Sequence, residues 1–297
     1  MDEKQIIKWL ISHCVCKSKR VKIGIGDDAA VIHYNSNFYL LLTTDVVVEN
    51  VHFKTRYATY RQVGRKALAV NISDIAAMGG RPLWALVSLG MQEKKANVYR
   101  EIYNGILEMA EMFNIDIVGG NLSRSETFFV DIFLLGIVEK ENLILRSTAK
   151  PKDIIFVTGT LGGAQKNKQF RFIPRVKEAR EIIKRVKPSA MIDLSDGLAS
   201  DARKLAEASG CGFEINAEKI PFSHDANKNK ISSAFYDGED YELLFTVSPE
   251  FASLVPGKIG DVPVTNIGRI TKQKKFVLKY PDGRKTTIGK EKFKHFS

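Results

Sequence analysis

The chain has 297 residues, 44% hydrophobic and 27% charged, a globular composition that excludes a mostly disordered protein and leaves room for one large or two medium domains. Its formal net charge of +11 is uneven: residues 164–187 hold nine Lys/Arg against two Glu and residues 271–297 hold nine against two acids, so the remainder is slightly acidic. Cys14, Cys16 and Cys211 fit neither a disulfide framework nor a zinc-ligand spacing, no apolar h-region follows Asp2-Glu3, and no apolar run approaches the roughly 18 residues of a membrane span; a cytoplasmic protein with free thiols is expected.

In chain order, Ile6, Ile7, Leu10 and Ile11 have helical spacing over 3–12. A strand is expected in AAVIHY, a turn at 34–37, and a short buried strand at 38–42 that ends at Thr43-Thr44-Asp45. Residues 60–78 predict a long helix with Ala67, Leu68, Val70, Asn71, Ile75 and Met78 on its buried side, stopped by Gly79-Gly80. A strand at 83–89, an amphipathic helix at 96–113, a strand at 115–118 ending in Gly119-Gly120 and a strand at 128–138 follow. Ser147–Asp153 reads as a linker, dividing the chain into domains 1–150 and 151–297. Beyond it come strands at 154–158, 190–192, 242–247 and 264–270, helices at 175–187 and 198–209, and a hairpin of 275–280 and 284–288 around Pro281-Asp282-Gly283. Strands and helices do not alternate strictly, so the class is α+β, two domains with mixed sheets flanked by helices.

The recurrent chemical feature is a carboxylate beside Gly, Ser or Thr at the end of a strand or the start of a helix. It occurs at Gly26-Asp27-Asp28, Thr43-Thr44-Asp45, Ser73-Asp74, Asp193-Leu194-Ser195-Asp196-Gly197 and Gly238-Glu239-Asp240-Tyr241-Glu242. Each alone has an ordinary explanation: Asp74 as a cap, Asp27-Asp28 as a turn, Asp193 and Asp196 as caps of the following helix. Five together do not, because converging carboxylates repel unless a cation sits between them. Oxygen ligands without His or Cys favour Mg²⁺, which keeps waters and shares substrate phosphates. A Mg-nucleotide site follows. The chain contains no G-x-x-x-x-G-K-[ST], no G-x-G-x-x-G and no kinase-type H-R-D or D-F-G set, so metal ions must do much of the phosphate handling.

The stretches GIGDDAAVI (24–32), TTDVVVENVHF (43–53), KALAVNISDIAAMGGRP (66–82), GGN (119–121), AMIDLSDGLASD (190–201) and DGEDYELLFTV (237–247) together closely resemble the thiamine-monophosphate kinases. These belong to an ATP-binding superfamily with aminoimidazole ribonucleotide synthetase and selenophosphate synthetase. The resemblance implies ATP-dependent phosphorylation of thiamine monophosphate to thiamine diphosphate, and an N-terminal domain that binds ATP and Mg²⁺ and makes a homodimer through its sheet. It implies that Asp28, Thr43, Thr44, Asp45, Asp74, Asp193 and Asp196 surround several Mg²⁺ ions, with Asn121 at a further metal position. It assigns Tyr103, Gly120, Asn121, Arg146 and Ser195 to ATP, and His52 and Glu239 to thiamine monophosphate. In-line transfer between phosphates needs charge neutralisation and alignment more than a protein base, so no catalytic acid or base is assigned. Neither a membrane nor nucleic acid is expected as a partner.

Three departures from the family pattern stand out. The usual GGD-T-T is GGN-L-S here, the segment after Gly162-Gly163 is short and basic, and the tail KFKHF (292–296) lacks a tryptophan found just upstream in relatives, for which Phe293 is a candidate substitute. Two competing readings remain open. One is a sibling phosphate-activating synthetase, which product analysis discriminates. The other is a nucleotide-binding relative with little turnover that touches nucleic acid through 164–187, which a salt-dependent gel shift discriminates; a solvated face is the commoner fate of such a basic run. Asn121 offers a carbonyl oxygen but no charge. Asn121→Asp is therefore expected to lower the Mg²⁺ concentration needed for half-maximal thiamine diphosphate formation, measured by metal titration of the initial rate.

Overall fold

The computed structural model describes residues 3–92 and 95–289. It divides into two compact units: one comprises the residues up to Ile75, Gly80–Lys140 and Phe170–Pro174, the other Ala76–Gly79, Glu141–Gln169 and the chain from Arg175 onward. Phe293 and the rest of the 292–296 tail lie outside the described residues.

The first unit runs α1 (Glu3–His13), β1 (Val21–Ile23), β2 (Ala30–His33), β3 (Phe38–Val48), α2 (Tyr60–Ala77), β4 (Arg81–Met91), α3 (Ala96–Phe113), β5 (Asp116–Arg124) and β6 (Phe129–Glu139). Its six strands are ordered β1-β2-β3-β6-β4-β5. β4 and β5 are parallel and the other pairs antiparallel, so the sheet is mixed. Alternation along the strands sends Leu41, Val87, Leu89, Val130, Ile132 and Leu134 to the buried face. The buried stripe of α2 (Val63, Ala67, Leu68, Ile72, Ile75) and that of α3 (Ile102, Ile106, Met109) supply the rest of this core.

Two strands outrun their sequence limits. β3 does not end at Thr43-Thr44-Asp45; β6 pairs with it in unbroken register from Phe38↔Glu139 to Val48↔Phe129, so Thr43–Asp45 is ladder rather than loop. Likewise β5 continues through Gly119-Gly120 to Arg124, because β4 offers it a partner along the whole length. A Cβ on Gly120 would lie 1.9 Å from the Val87 carbonyl oxygen, so only glycine lets β5 approach β4 there.

The second unit contains β7 (Ile154–Thr158), α4 (Val176–Val186), β8 (Ala190–Asp193), α5 (Leu198–Ala208), β9 (Gly212–Asn216), α6 (Lys230–Tyr236), β10 (Leu243–Val247), β11 (Lys258–Ile259), β12 (Val262–Thr271), β13 (Phe276–Lys279) and β14 (Lys285–Thr287). Seven strands run β14-β13-β9-β12-β7-β10-β8, with β11 on β12. β9 and β13 are parallel and the remaining pairs antiparallel. One face carries Ile155, Val157, Ile192 and Leu244 in a cluster with Leu198, Ala202 and Leu205 of α5 and Phe235 of α6. The other carries Phe156, Met191, Phe245 and Val247 with Ala179, Ile182 and Val186 of α4. Burial on both faces explains why β10 reads LLFTV without alternation.

Helices α2 and α3 touch backbone to backbone. A Cβ on Gly105 would sit 1.9 Å from the Arg61 carbonyl oxygen, and one on Gly64 would sit 2.0 Å from that of Ile102. Gly105→Ala must push the helices apart, and an overpacked core of this kind loses about 1–3 kcal/mol. Thermal denaturation should register a clear fall in midpoint for Gly105→Ala, against little change for Ala at the exposed Asn104.

Candidate active site

In the first unit, Asp28 follows β1 in a turn where its backbone N–H donates to Asp27 Oδ1 at 3.0 Å. Asp74 lies in the last turns of α2. A carboxylate oxygen of Asp28 and one of Asp74 lie within 4.8 Å of each other, close to the span of two oxygens across a divalent cation. Thr43, buried on β3, donates its hydroxyl to Asp74 Oδ2 at 2.6 Å. This charge-assisted bond helps to fix the Asp74 rotamer. Asp45 shares the Thr43 side of β3 by strand alternation, whereas Thr44 leaves on the opposite face and donates to Asp131 Oδ1 at 2.9 Å.

Asn71 is fully buried one helical turn before Asp74, on the same side of α2. Its amide nitrogen donates to the Ala67 carbonyl, but its Oδ1 has no partner. A buried acceptor left unpaired is costly unless a ligand meets it. The sequence places Asn71 in the apolar stripe; its signal was a carboxamide at a core position. The Asp28 and Asp74 carboxylates and the Thr43 hydroxyl offer oxygen ligands alone, of the kind that suits Mg²⁺.

His52 occupies the turn after β3, its Nδ1 accepting from the Val48 N–H at 3.1 Å. Lys66, almost completely buried on α2, donates to the His52 carbonyl oxygen at 2.9 Å and lies 5.6 Å over the Phe170 ring. Tyr103 is half-buried on α3, and burial raises the pKa of its phenol. Gly120 has its structural reason on β4, and Asn121 beside it is exposed on β5.

In the second unit, Asp193 is buried at the end of β8 and the chain turns through Leu194–Gly197 into α5. Asp201 caps this turn, accepting from the Asp196 N–H at 2.9 Å. Lys204, also on α5, donates to Asp196 Oδ2 at 2.5 Å and to Asp201 Oδ1 at 2.9 Å. Burial pushes the Asp201 carboxyl up to about 7. Burial works against the Lys204 ammonium, but Asp201 and Asp196 outweigh it and hold Lys204 charged. A cation at Asp196 would have to share it with Lys204, a residue absent from the sequence-level set. Arg146 lies before β7, with its carbonyl accepting from the Ser209 hydroxyl at 3.0 Å.

The DGEDYE segment is stitched to the same turn. Glu239 N–H donates to the Ser195 carbonyl at 2.7 Å, Tyr241 N–H to Leu194 at 2.9 Å, and Leu194 N–H to Glu242 at 2.8 Å. Ser195 and Glu239 are therefore neighbours in this unit. Glu239 and Tyr241 both have left-handed backbones, with φ of 62° and 49°. Such residues cost on the order of 1–3 kcal/mol each and persist only where the surroundings over-determine them.

The family model for the AIR synthase related protein N-terminal domain matches residues 26–138, and that for the C-terminal domain matches 139–281, which defines the class of protein. Within that class the chain belongs to the thiamine-monophosphate kinase family. It is 36% identical to thiamine-monophosphate kinase of Bacillus subtilis over the full length of both chains. It is 37% identical to the Aquifex aeolicus enzyme over 83% of this chain and 87% of that one. Among solved structures, "AaThiL complexed with AMPPCP and TMP" matches with a TM-score of 0.85 at 34% identity, covering 99% of this chain and 97% of that one.

Asp240 yields a pH prediction. Its carboxylate accepts from the Gly162 N–H and faces Lys168 at 3.5 Å, yet burial dominates and pushes it up to about 7. In the unfolded chain an aspartate loses its proton near about 4. Between those values the folded protein holds the extra proton, so this group makes stability fall as pH rises from about 4 to about 7. Asp240→Asn removes that slope. Thermal midpoints at pH 5 and 7.5 should fall less between the two for the variant than for the wild type.

Proposed function

We propose that the protein transfers the γ-phosphoryl group of ATP to thiamine monophosphate, forming thiamine diphosphate. The observation that carries this reading is the match along 99% of the chain to a solved relative complexed with AMPPCP and TMP. The oxygen-rich groups at Asp28, Thr43 and Asp74 are consistent with it. A sibling synthetase of the same superfamily rests only on the altered GGN and on the tryptophan lacking near the 292–296 tail.

Asp28, Asp45, Asp74 and Asn71 of the first unit, and Asp193 and Asp196 of the second, would hold Mg²⁺, with Thr43 orienting Asp74; the Thr44 hydroxyl, turned to Asp131 on the other face of β3, takes no part in this set. Bound Mg²⁺ neutralises phosphate charge and aligns donor and acceptor. Around it the chain's own groups position the reactants. Arg146 carries a planar guanidinium suited to ATP phosphate oxygens. Tyr103, Gly120 and Asn121 serve the nucleotide in the first unit and Ser195 in the second. His52 and Glu239 serve thiamine monophosphate, with the Glu239 carboxylate facing the cationic ring. The acceptor phosphate is already ionised near pH 7, so no side chain need remove a proton.

The same reading extends to assembly. We propose domains 1–150 and 151–297, and a homodimer formed through the outer face of the first sheet. Val46, Trp84 and Leu86 stand exposed on that sheet, and Ile7, Trp9 and Ile11 stand exposed on α1. Exposed large apolar side chains on one sheet are what such an interface would cover, and a second copy of the chain is the occupant we assign. No helix among the described residues is long and apolar enough to cross a membrane, which is consistent with a cytoplasmic enzyme.

Purified protein with ATP, Mg²⁺ and thiamine monophosphate should yield thiamine diphosphate, resolved by chromatography. Asp74→Asn should lower kcat by on the order of 100-fold or more. A wild-type protein that makes no product across a range of Mg²⁺ concentrations overturns the reading.

A further inference from the structure

The second unit contains an ionic cluster that none of the assigned substrate or metal roles uses. Asp240 and Glu242 are both 1% exposed, on either side of Tyr241. Arg175, at the start of α4, meets Glu242 as a fork: Nε reaches Oε2 and a terminal nitrogen reaches Oε1, both at 2.7 Å. Lys168 Nζ lies 3.0 Å from Glu242 and 3.5 Å from Asp240, and also donates to the Thr160 carbonyl at 2.7 Å. Thr158 on β7 donates its hydroxyl to Glu242 Oε2 and accepts from the Leu243 N–H, each at 2.9 Å. Gly159 at φ 61° makes room, since a Cβ there would sit 2.1 Å from Glu242 Oε1.

Both cations come from the short basic segment at 164–187. Read from sequence, that segment is a solvated face, and Lys177, Lys184, Arg185 and Lys187 are indeed exposed. Lys168 and Arg175 are not: their side chains are 20% and 14% exposed and turned onto the acidic pair. Further ties bind the same two stretches. Gly163 N–H donates to Asp237 Oδ2 at 3.3 Å, and Gln165 donates to the Asp237 carbonyl at 2.5 Å.

The cluster brackets the strained part of the chain. Glu239 and Tyr241, the two left-handed residues, alternate with Asp240 and Glu242, the two buried acids. The side chains of the acids are fastened to Arg175, Lys168, Thr158 and the Gly162 N–H, while the backbone of the intervening residues is fastened to Leu194 and Ser195. Neutralising the acids is what allows the tight backbone to stay buried.

We infer that Arg175 and Lys168 are positioning residues: they hold the 238–242 turn in its left-handed form and so set where Glu239 presents its carboxylate to the cationic substrate. This rests on the proposed kinase reading for the identity of that substrate. Arg175 acts through the two parallel bonds to Glu242, which a lysine, as a point charge, reproduces only in part.

The test compares wild type, Arg175→Gln, Arg175→Lys and Lys168→Met. KM for thiamine monophosphate, KM for ATP and amide hydrogen exchange of peptides spanning 237–242 are read on each folded protein. The expected result for Arg175→Gln is a tenfold or greater rise in KM for thiamine monophosphate, with KM for ATP within twofold and faster exchange confined to 237–242. Arg175→Lys should fall between it and the wild type. If Arg175→Gln does not fold, Arg175→Lys and Lys168→Met carry the test. Wild-type values in a folded variant overturn the inference, as do equal rises in both KM values or exchange that quickens throughout the unit. A wild type that forms no thiamine diphosphate defeats the kinase reading instead; the confinement of the exchange change to 237–242 then decides the positioning role by itself.

Discussion

Carboxylates brought within a few ångströms of one another raise their mutual energy steeply as water is removed, so a protein that gathers them must supply a compensating partner for each. This chain gathers them repeatedly and compensates in three ways. Asp74 takes a hydroxyl from Thr43. Asp196 and Asp201 share the Lys204 ammonium. Asp240 and Glu242 take Lys168, the Arg175 fork and the Gly162 amide. Asp28 and Asp74 bring carboxylate oxygens within 4.8 Å of each other in the first unit, a spacing that a divalent cation can bridge.

The rest of each unit can be understood as support for these acids. In the first, two glycines let α2 and α3 meet at backbone distance, and α2 in turn carries Asn71 and Asp74 beneath the strand that bears Thr43 and Asp45. In the second, the central position of β10 between β7 and β8 brings Glu242 next to Thr158 and the 194–195 turn. Helices on both faces of that sheet dry the interior, which strengthens the ion pairs and also explains why Asp240 holds its proton so far up the pH scale.

Much of this was legible in the linear order of residues. Periodicity located α2, α3, β7, α5 and the β13–β14 hairpin nearly to the residue, because each is long or strongly patterned or bounded by Gly and Pro. The strands β1, β9 and β11 and the seven-residue α6 have no legible signal because they are short: GFEIN alternates over only five residues and KISSAFY makes barely two turns. Strand ends are hidden in the sequence where Thr43-Thr44-Asp45 and Gly119-Gly120 resemble turns, since the length of a ladder depends on what lies alongside it. Asn71 and Lys204 show no chemical role in the sequence for a different reason: an amide in an apolar stripe and a lysine on a helix become informative only once burial and partners are known.

By itself the sequence determined the α+β class, the family and the set of acidic motifs, because these depend on local pattern and on residue identity at fixed spacing. Only the tertiary structure decided which charges answer one another. Lys168 and Arg175 look from sequence like members of a basic surface run, yet they are partners of acids some 70 residues downstream. Coulomb energy depends on distance in space and on exclusion of water, and neither quantity is written in the order of the chain.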